Sequence, residues 1–117
     1  MFAALKAQLA AQRGADAETR AEQHLVRQGL KPLHRNWRCP LGELDLLMAE
    51  GDTLVIVEVR CRSHASHGGA LESVDAKKRG KLIRSALAFV QAHPDWQDAP
   101  IRFDVVCFEA DGKNRWL

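Results

Sequence analysis

The segment 54–59, with the sequence LVIVEV, constrains the fold of this chain more than any other feature. Five of its six residues are apolar, and the turn-forming residues Gly51 and Asp52 precede it. A short apolar run next to turn residues is typical of a β-strand that is covered on both faces. Such a strand lies inside a sheet that carries other structure above and below it. The segment therefore predicts an α/β fold in which helices flank a central sheet.

The flanking segments predict the order of the other elements. Residues 15–28 have the apolar spacing of a helix that ends at Gly29, and a second helix ends at Pro94. The predicted strands lie at 33–38, 43–49, 53–61 and 101–108. The order is αβββαβ, and the crossover through the second helix makes the last two strands parallel. We therefore expect a mixed sheet.

Length and composition set the broad class of protein. The 117 residues, 46% hydrophobic and 27% charged, fit one globular domain. We expect that domain at residues 14–117, with residues 1–13 forming a peripheral helix or a frayed segment. No apolar run reaches the length of about 18–20 residues that a membrane span needs. The 3 cysteines lie far apart without a CxxC pair, which is typical of reduced thiols, so we expect a cytoplasmic protein without membrane contact.

Two acids interrupt the apolar strands. Glu58 lies within the third predicted strand and Asp45 within the second, where carboxylates are rare without a compensating partner. In the hairpin around Gly51 we expect the two acids to be diagonal neighbours about 7–8 Å apart, unless a β-bulge brings them level. Carboxylates this close repel unless a cation lies between them. Oxygen ligands of this kind suit Mg²⁺ or Mn²⁺ rather than zinc.

The alternation of side chains along a strand predicts which groups share a face. Asp45 shares a face with Leu47, and Leu44 lies on the opposite face. Glu58 and Arg60 share one face of the third strand. The alternative to a metal site is therefore an exposed ion-pair face formed by Glu58 and Arg60 beside Asp45.

Five ordered segments carry a family resemblance. They are Gly14-xxx-Glu18-xx-Ala21-xxx-Leu25-xxx-Gly29, GELDLLM at 42–48, LVIVEVR at 54–60, Ser73-Val74-xxx-Lys78-xx-Lys81-Leu82 and RFDVV at 102–106. Together they resemble the bacterial YraN-like family, which is grouped with archaeal Holliday-junction resolvases in the PD-(D/E)XK nuclease superfamily. The resemblance covers roughly residues 14–108 and implies a restriction-endonuclease-like αβββαβ core.

The resemblance also implies roles for particular residues. The implied catalytic residues are Glu18, Asp45, Glu58, Arg60 and Lys78. Asp45 and Glu58 would hold Mg²⁺ or Mn²⁺, with Glu18 as a further or water-mediated ligand. Arg60 stands where the superfamily has lysine, and arginine stabilises phosphate charge but stays protonated. The implied substrate is DNA, including branched or junction DNA, and the implied assembly is a homodimer.

Two stretches without acids flank the acidic pair. The charged side chains of residues 23–42 and 76–94 are all basic, which is the charge pattern expected beside a phosphodiester site. The candidate nucleic-acid contacts are Arg35, Arg38, Lys77, Lys78, Lys81 and Arg84. The alternative for the second stretch is a solvated basic helix face. Trp37 either stacks on a base or belongs to the core.

A zinc site is a further alternative. Cys61, His64 and His67 have a metal-like spacing, with Cys39 as a fourth candidate ligand. The more conservative role for the two histidines is loop polarity or a phosphate contact.

Taken together, these patterns predict a metal-dependent DNA endonuclease of the resolvase-like type. Two alternatives stay open: a catalytically silent nucleic-acid-binding module on the same fold, and a protein-interaction domain whose acidic cluster is structural.

Overall fold

A computed structural model of the chain describes residues 16–61, 76–108 and 114–116. Helix α1 occupies 16–27. The other elements, in chain order, are β1 (Lys31–Cys39), β2 (Gly42–Glu50), β3 (Thr53–Cys61), α2 (Ala76–Ala92), a 3₁₀ helix (Pro94–Trp96), β4 (Ile101–Phe108) and β5 (Asn114–Trp116). The predicted αβββαβ order is confirmed, while β5 and the 3₁₀ helix were not predicted. The expected peripheral segment 1–13 lies outside the described residues.

The strands form one mixed sheet in the order β1-β2-β3-β4-β5. β3 and β4 are parallel, and the other neighbouring strands are antiparallel. The parallel pair confirms the predicted crossover, because parallel neighbours need a long connection such as the one that contains α2. Within the described ranges, no helix has the length and apolar character required to cross a membrane.

Two buried clusters show that the helices pack on opposite faces of the sheet. The α1 cluster includes Ala17, Ala21, Leu25, Val55 and Val57. The α2 cluster includes Leu54, Ile56, Leu82, Ala86 and Phe89. β3 supplies alternate side chains to both clusters, which is why its first half is apolar at every position. Each fully buried Leu, Ile, Val or Phe side chain in these clusters stabilises the fold by about 1.5–3 kcal/mol.

β2 and β3 separate at the end of the hairpin that is distant from the turn. Their pairing ends at Leu46 and Val57, although both strands continue beyond these residues. Past this point β2 stays paired with β1, and β3 stays paired with β4. The next residues on the two strands are Asp45 and Glu58. The sheet therefore opens at the two acids.

The register of the hairpin brings the two acids level. β2 and β3 pair residue for residue from the turn to Leu46 and Val57, so one further step places Asp45 opposite Glu58. Gly51 has a φ of 58° in this turn, a left-handed conformation that favours glycine. The expected diagonal offset between the acids is wrong, because the two residues are equally distant from the turn and no bulge is needed.

The side-chain alternation of β2 breaks at Asp45. Leu44 packs in the α2 cluster together with Leu47, whereas Leu46 packs in the α1 cluster. Leu44 was predicted to lie opposite Leu47, so that assignment is wrong. The break coincides with the point where β2 leaves β3, which indicates that the backbone of β2 rotates there.

Two glycines near the opening provide a test of this geometry. A Cβ atom on Gly42, whose φ is 155°, would lie 3.2 Å from Ser85 Oγ, whereas a Cβ on Gly80 in α2 would meet only the flexible end of Arg84 at 3.4 Å. We expect Gly42→Ala to lower the free energy of unfolding by at least about 1 kcal/mol. Gly80→Ala should raise the free energy of unfolding by about 0.5–1 kcal/mol, because alanine has a higher helix propensity than glycine. Urea denaturation measures both, and shifts of the same sign would contradict this packing.

Candidate active site

A cleft of about 520 Å³ opens where β2 and β3 separate and α2 lies against them. Its lining combines strand residues and one face of α2: Gly42, Glu43, Asp45, Glu58, Lys77, Lys78, Lys81, Leu82 and Ser85. Acids therefore come from the sheet, and bases come from the helix. Of the predicted catalytic residues, the cleft lining contains Asp45, Glu58 and Lys78.

The Asp45 carboxylate accepts a hydrogen bond from a backbone N–H of β3 that lies beyond the pairing with β2. Its Oδ2 accepts a hydrogen bond from the Val59 backbone N–H at 2.9 Å. Because strand N–H groups point along the plane of a sheet, this bond holds the carboxyl group between the strands. Burial, together with the neighbouring Glu58 carboxylate, raises the pKa of Asp45 to about 7, while the Val59 bond acts in the opposite direction. The two acids are therefore crowded.

Glu58 is neutralised by two cations. The residue is 6% exposed, and its Oε1 lies 2.7 Å from Lys78 Nζ and 3.4 Å from Arg60 Nη2. A buried carboxylate requires such partners, since the loss of one leaves an uncompensated charge. The alternative of an ion pair between Glu58 and Arg60 is confirmed as a contact, but its exposed character is wrong, because Glu58 is buried and has a nearer partner on α2.

Glu18 approaches the site from the opposite face of the sheet. It lies on α1, half-buried, and its charge contributes to the raised pKa of Asp45. Across the described residues, no group of three or more His, Cys, Asp or Glu side chains has the geometry to hold a metal ion. Asp45 and Glu58 nevertheless present carboxyl oxygens, the donor type that Mg²⁺ and Mn²⁺ prefer, and their crowding is what a cation relieves.

The predicted basic residues divide into two groups. Lys77, Lys78 and Lys81 line the cleft, whereas its described lining does not include Arg35, Arg38 or Arg84. Arg35 donates a hydrogen bond to Thr19 Oγ1 on α1 at 2.9 Å, on the other side of the sheet. Arg38 Nε lies 3.6 Å from Glu43 Oε2 at the surface. Of the predicted basic residues, only the three lysines of α2 therefore share the cleft with the acids.

Ser85 is a cleft residue that sequence reasoning missed. It is 1% exposed, and its Oγ has no hydrogen-bond partner among the described residues. Arg60 Nε is likewise buried and has no hydrogen-bond partner among the described residues. The spacing of Lys78, Lys81 and Ser85 at i, i+3 and i+7 could have placed Ser85 on the helix face of the two lysines, although it does not predict the burial of the hydroxyl.

The segment RFDVV has a structural role on the α1 side of β4. Asp104 is buried and accepts hydrogen bonds from Arg102 Nε at 3.0 Å and from Trp116 Nε1 at 2.9 Å. Arg102 Nη1 also donates to Glu50 Oε1 at 3.0 Å, and this contact lowers the pKa of Glu50. These bonds connect β5, β4 and the end of β2. The charged residues of this segment therefore stabilise the sheet edge.

The structure decides the alternative for Trp37 but not the zinc alternative. Trp37 is partly buried against the α2 cluster, with its ring 5.3 Å from that of Phe89 in an edge-to-face arrangement, so the core interpretation is confirmed. For the zinc alternative, His64, His67 and the side chain of Cys61 lie outside the described residues. Cys39 is half-buried and carries a free thiol.

The raised pKa of Asp45 predicts a pH-dependent stability. The folded state holds the Asp45 proton more tightly than the unfolded chain, so the contribution of this group to stability falls as the pH rises from about 4 to about 7. Asp45→Asn keeps an acceptor for Val59 and removes the charge. In EDTA, we expect it to match the wild type at pH 4 and to be more stable by at least about 1 kcal/mol at pH 8.

The matched control is Asp98→Asn, the same change at an exposed position after the 3₁₀ helix. Its stability difference from the wild type should vary with pH much less than that of Asp45→Asn, because position 98 is exposed. A pH-independent difference for Asp45→Asn, measured by thermal denaturation at several pH values, would contradict the crowding of the two acids.

Comparison with known proteins shows the family of this chain. The sequence model of the family described as "Uncharacterised protein family UPF0102" matches residues 17–108. A UPF0102 protein from Ectopseudomonas mendocina is 53% identical over 106 residues, covering 89% of this chain and 89% of the relative. A UPF0102 protein from Stutzerimonas stutzeri is 56% identical over 104 residues, covering 89% and 87%. These matches confirm the family resemblance predicted from the five segments, and the chain belongs to the UPF0102 family.

Proposed function

We propose that this protein is a metal-dependent endonuclease of the resolvase-like type, which hydrolyses phosphodiester bonds in DNA. The observation that carries the proposal is the crowding of two acids, Asp45 and Glu58, in a cleft whose other wall is basic. A phosphodiester enzyme needs carboxylates for a metal ion and cations for the phosphate, and this cleft offers both. We also propose that the protein acts in the cytoplasm as a homodimer and that its substrate is branched or junction DNA.

Asp45 and Glu58 are the residues that would hold Mg²⁺ or Mn²⁺, with Glu18 contributing from α1 directly or through water. When bound, such an ion supplies Lewis-acid activation of water and of the phosphate. The bond from Val59 N–H to Asp45 Oδ2 fixes the Asp45 carboxyl group beside Glu58 in the cleft lining. The protein therefore orients its carboxylates before any ligand arrives.

Arg60 and Lys78 are the proposed stabilisers of phosphate charge. Both already lie within 3.4 Å of Glu58, so both are at the acids where the reaction would occur. Arginine keeps its charge at any working pH and binds phosphate oxygens bidentately, which is suited to holding negative charge that develops during hydrolysis. Lys77 and Lys81 extend the basic wall and are the proposed contacts for neighbouring phosphates.

A cleavage assay tests the nuclease proposal. Single-stranded, duplex, flap and four-way junction DNA are incubated with the protein in Mg²⁺, in Mn²⁺ or in EDTA. We expect metal-dependent cleavage that Asp45→Asn or Glu58→Gln reduces about 10²-fold or more, because each removes a carboxylate from the site. The control is Glu22→Gln, which removes a carboxylate from a half-buried position on α1. Glu22 is not among the residues that line the cleft.

Two outcomes would overturn the nuclease proposal. One is the absence of cleavage on every DNA form with either metal. The other is cleavage that persists unchanged in both Asp45→Asn and Glu58→Gln, which would point to a contaminating nuclease.

The identity of residue 60 favours a second candidate function, a nucleic-acid-binding module without catalysis. Arg60 stands where the superfamily has lysine, and arginine cannot release a proton to handle water. If Arg60 acts as an electrostatic clamp in an active enzyme, Arg60→Ala should lose about 10²-fold of the activity and Arg60→Lys should keep or raise it. Cleavage by Arg60→Lys but not by the wild type would establish the binding module. Full activity in Arg60→Ala would exclude Arg60 from the chemistry and leave Lys78 as the leading cation.

Salt dependence tests the basic wall in either function. The variant Lys77→Gln/Lys81→Gln should bind a fluorescent duplex more weakly and reduce the log–log salt slope by about one unit for each phosphate that the protein no longer neutralises. The control Arg27→Gln/Lys31→Gln removes the same charge from exposed positions beside α1 and β1. Fluorescence anisotropy at several salt concentrations measures both slopes. Equal slopes in the two variants would mean that the wall is only a solvated face.

A further inference from the structure

Glu58 already carries a cation where a metal ion would act. Lys78 Nζ lies 2.7 Å from Glu58 Oε1, and Arg60 Nη2 lies 3.4 Å from the same oxygen. A divalent ion bonded to that oxygen at about 2.1 Å would lie at most about 5 Å from an ammonium group that stayed in place. Two cations at that separation in a buried site repel strongly, because little water screens them. Lys78, the nearer of the two cations, therefore competes with a metal ion for this oxygen.

The charge balance of the site points the same way. Asp45 and Glu58 contribute two acids, and Lys78 and Arg60 contribute two cations, so the cluster is formally neutral when both acids are ionised. A neutral cluster attracts a divalent ion only weakly. A phosphate in the cleft would add negative charge and offer Lys78 a new partner. The Lys78 side chain is 37% exposed on a four-carbon stem, so it can turn from Glu58 into the cleft.

We infer that Lys78 switches between Glu58 and a nucleic-acid phosphate, so that DNA and the divalent ion bind this site cooperatively. The inference rests on the proposed function, because it requires a phosphate ligand in this cleft. Without DNA, Lys78 occupies Glu58 and keeps the affinity for metal low. With DNA, Lys78 leaves and the carboxylate becomes available. By linkage, the metal ion raises the affinity for DNA by the same factor as DNA raises the affinity for metal.

Two lysine variants test the switch. Lys78→Met removes the ammonium group from Glu58 and keeps a long apolar stem. Lys81→Met removes the same charge from the same helix face and the same cleft, at a residue that makes no ion pair with Glu58 in the described part of the chain. The Kd for Mn²⁺ is measured by electron paramagnetic resonance, for protein alone and with a saturating 20-base-pair duplex. The duplex alone is titrated as background, and gels of the same samples measure how much duplex has been cleaved, so that each Kd is taken before cleavage is appreciable.

We expect Lys78→Met, without DNA, to bind Mn²⁺ at least about tenfold more tightly than Lys81→Met, within the usual range of coupling. The duplex should tighten Mn²⁺ binding by a similar factor in the wild type and hardly at all in Lys78→Met. Lys78→Arg should restore the weak metal binding of the wild type, because it restores a cation beside Glu58.

Thermal stability provides a second readout that does not depend on DNA. Lys78→Met should have a lower Tm than the wild type in EDTA, because buried Glu58 loses its nearer partner. Mn²⁺ should raise the Tm of Lys78→Met more than that of the wild type, because the ion then binds the folded state more tightly.

The outcomes separate the switch from the proposed nuclease. Equal Mn²⁺ affinity in Lys78→Met and Lys81→Met, or an equal effect of the duplex on the wild type and Lys78→Met, would overturn the switch even if the wild type cleaves DNA. Absence of Mn²⁺ binding in every variant would overturn it too. Cooperative binding without any cleavage would overturn the nuclease proposal and leave the switch standing.

Discussion

The buried negative charge between β2 and β3 is the constraint on which the site depends. Asp45 and Glu58 are level with each other on adjacent strands, and a sheet that stayed paired there would force both carboxylates into a closed interior. The strands instead separate after Leu46 and Val57, and Asp45 takes over the backbone N–H of Val59 that the ladder would have satisfied. The acid pair and the opening of the sheet are therefore one structural feature.

The two halves of β3 differ in character. Its first half contributes Leu54 to Val57 to the two clusters under α1 and α2, and this apolar packing fixes the strand in the centre of the sheet. Its second half carries Glu58 and Arg60, and it stays paired with β4 after β2 has left. Because β4 and the helices hold this half in place, the strand can keep a buried carboxylate that its own local sequence does not stabilise.

The features that the sequence predicted are those set by local patterns. The apolar run of β3 and the spacing of both helices depend on neighbouring residues only, and Asp45 and Glu58 stand out because they break apolar strands. The separation of β2 from β3, the face of Leu44 and the contact from Lys78 to Glu58 depend on how distant elements pack. Ser85 breaks no pattern in its helix, so its buried, unpartnered hydroxyl was visible only in three dimensions.

The two cations on Glu58 reach it from different elements. Arg60 lies on the same strand two residues away, with its Nε buried and its guanidinium permanently charged. Lys78 comes from α2 on a flexible stem and stands at the edge of the cleft. In the proposed function the constant charge is therefore the task of Arg60, and the exchange of cations at Glu58 is the task of Lys78.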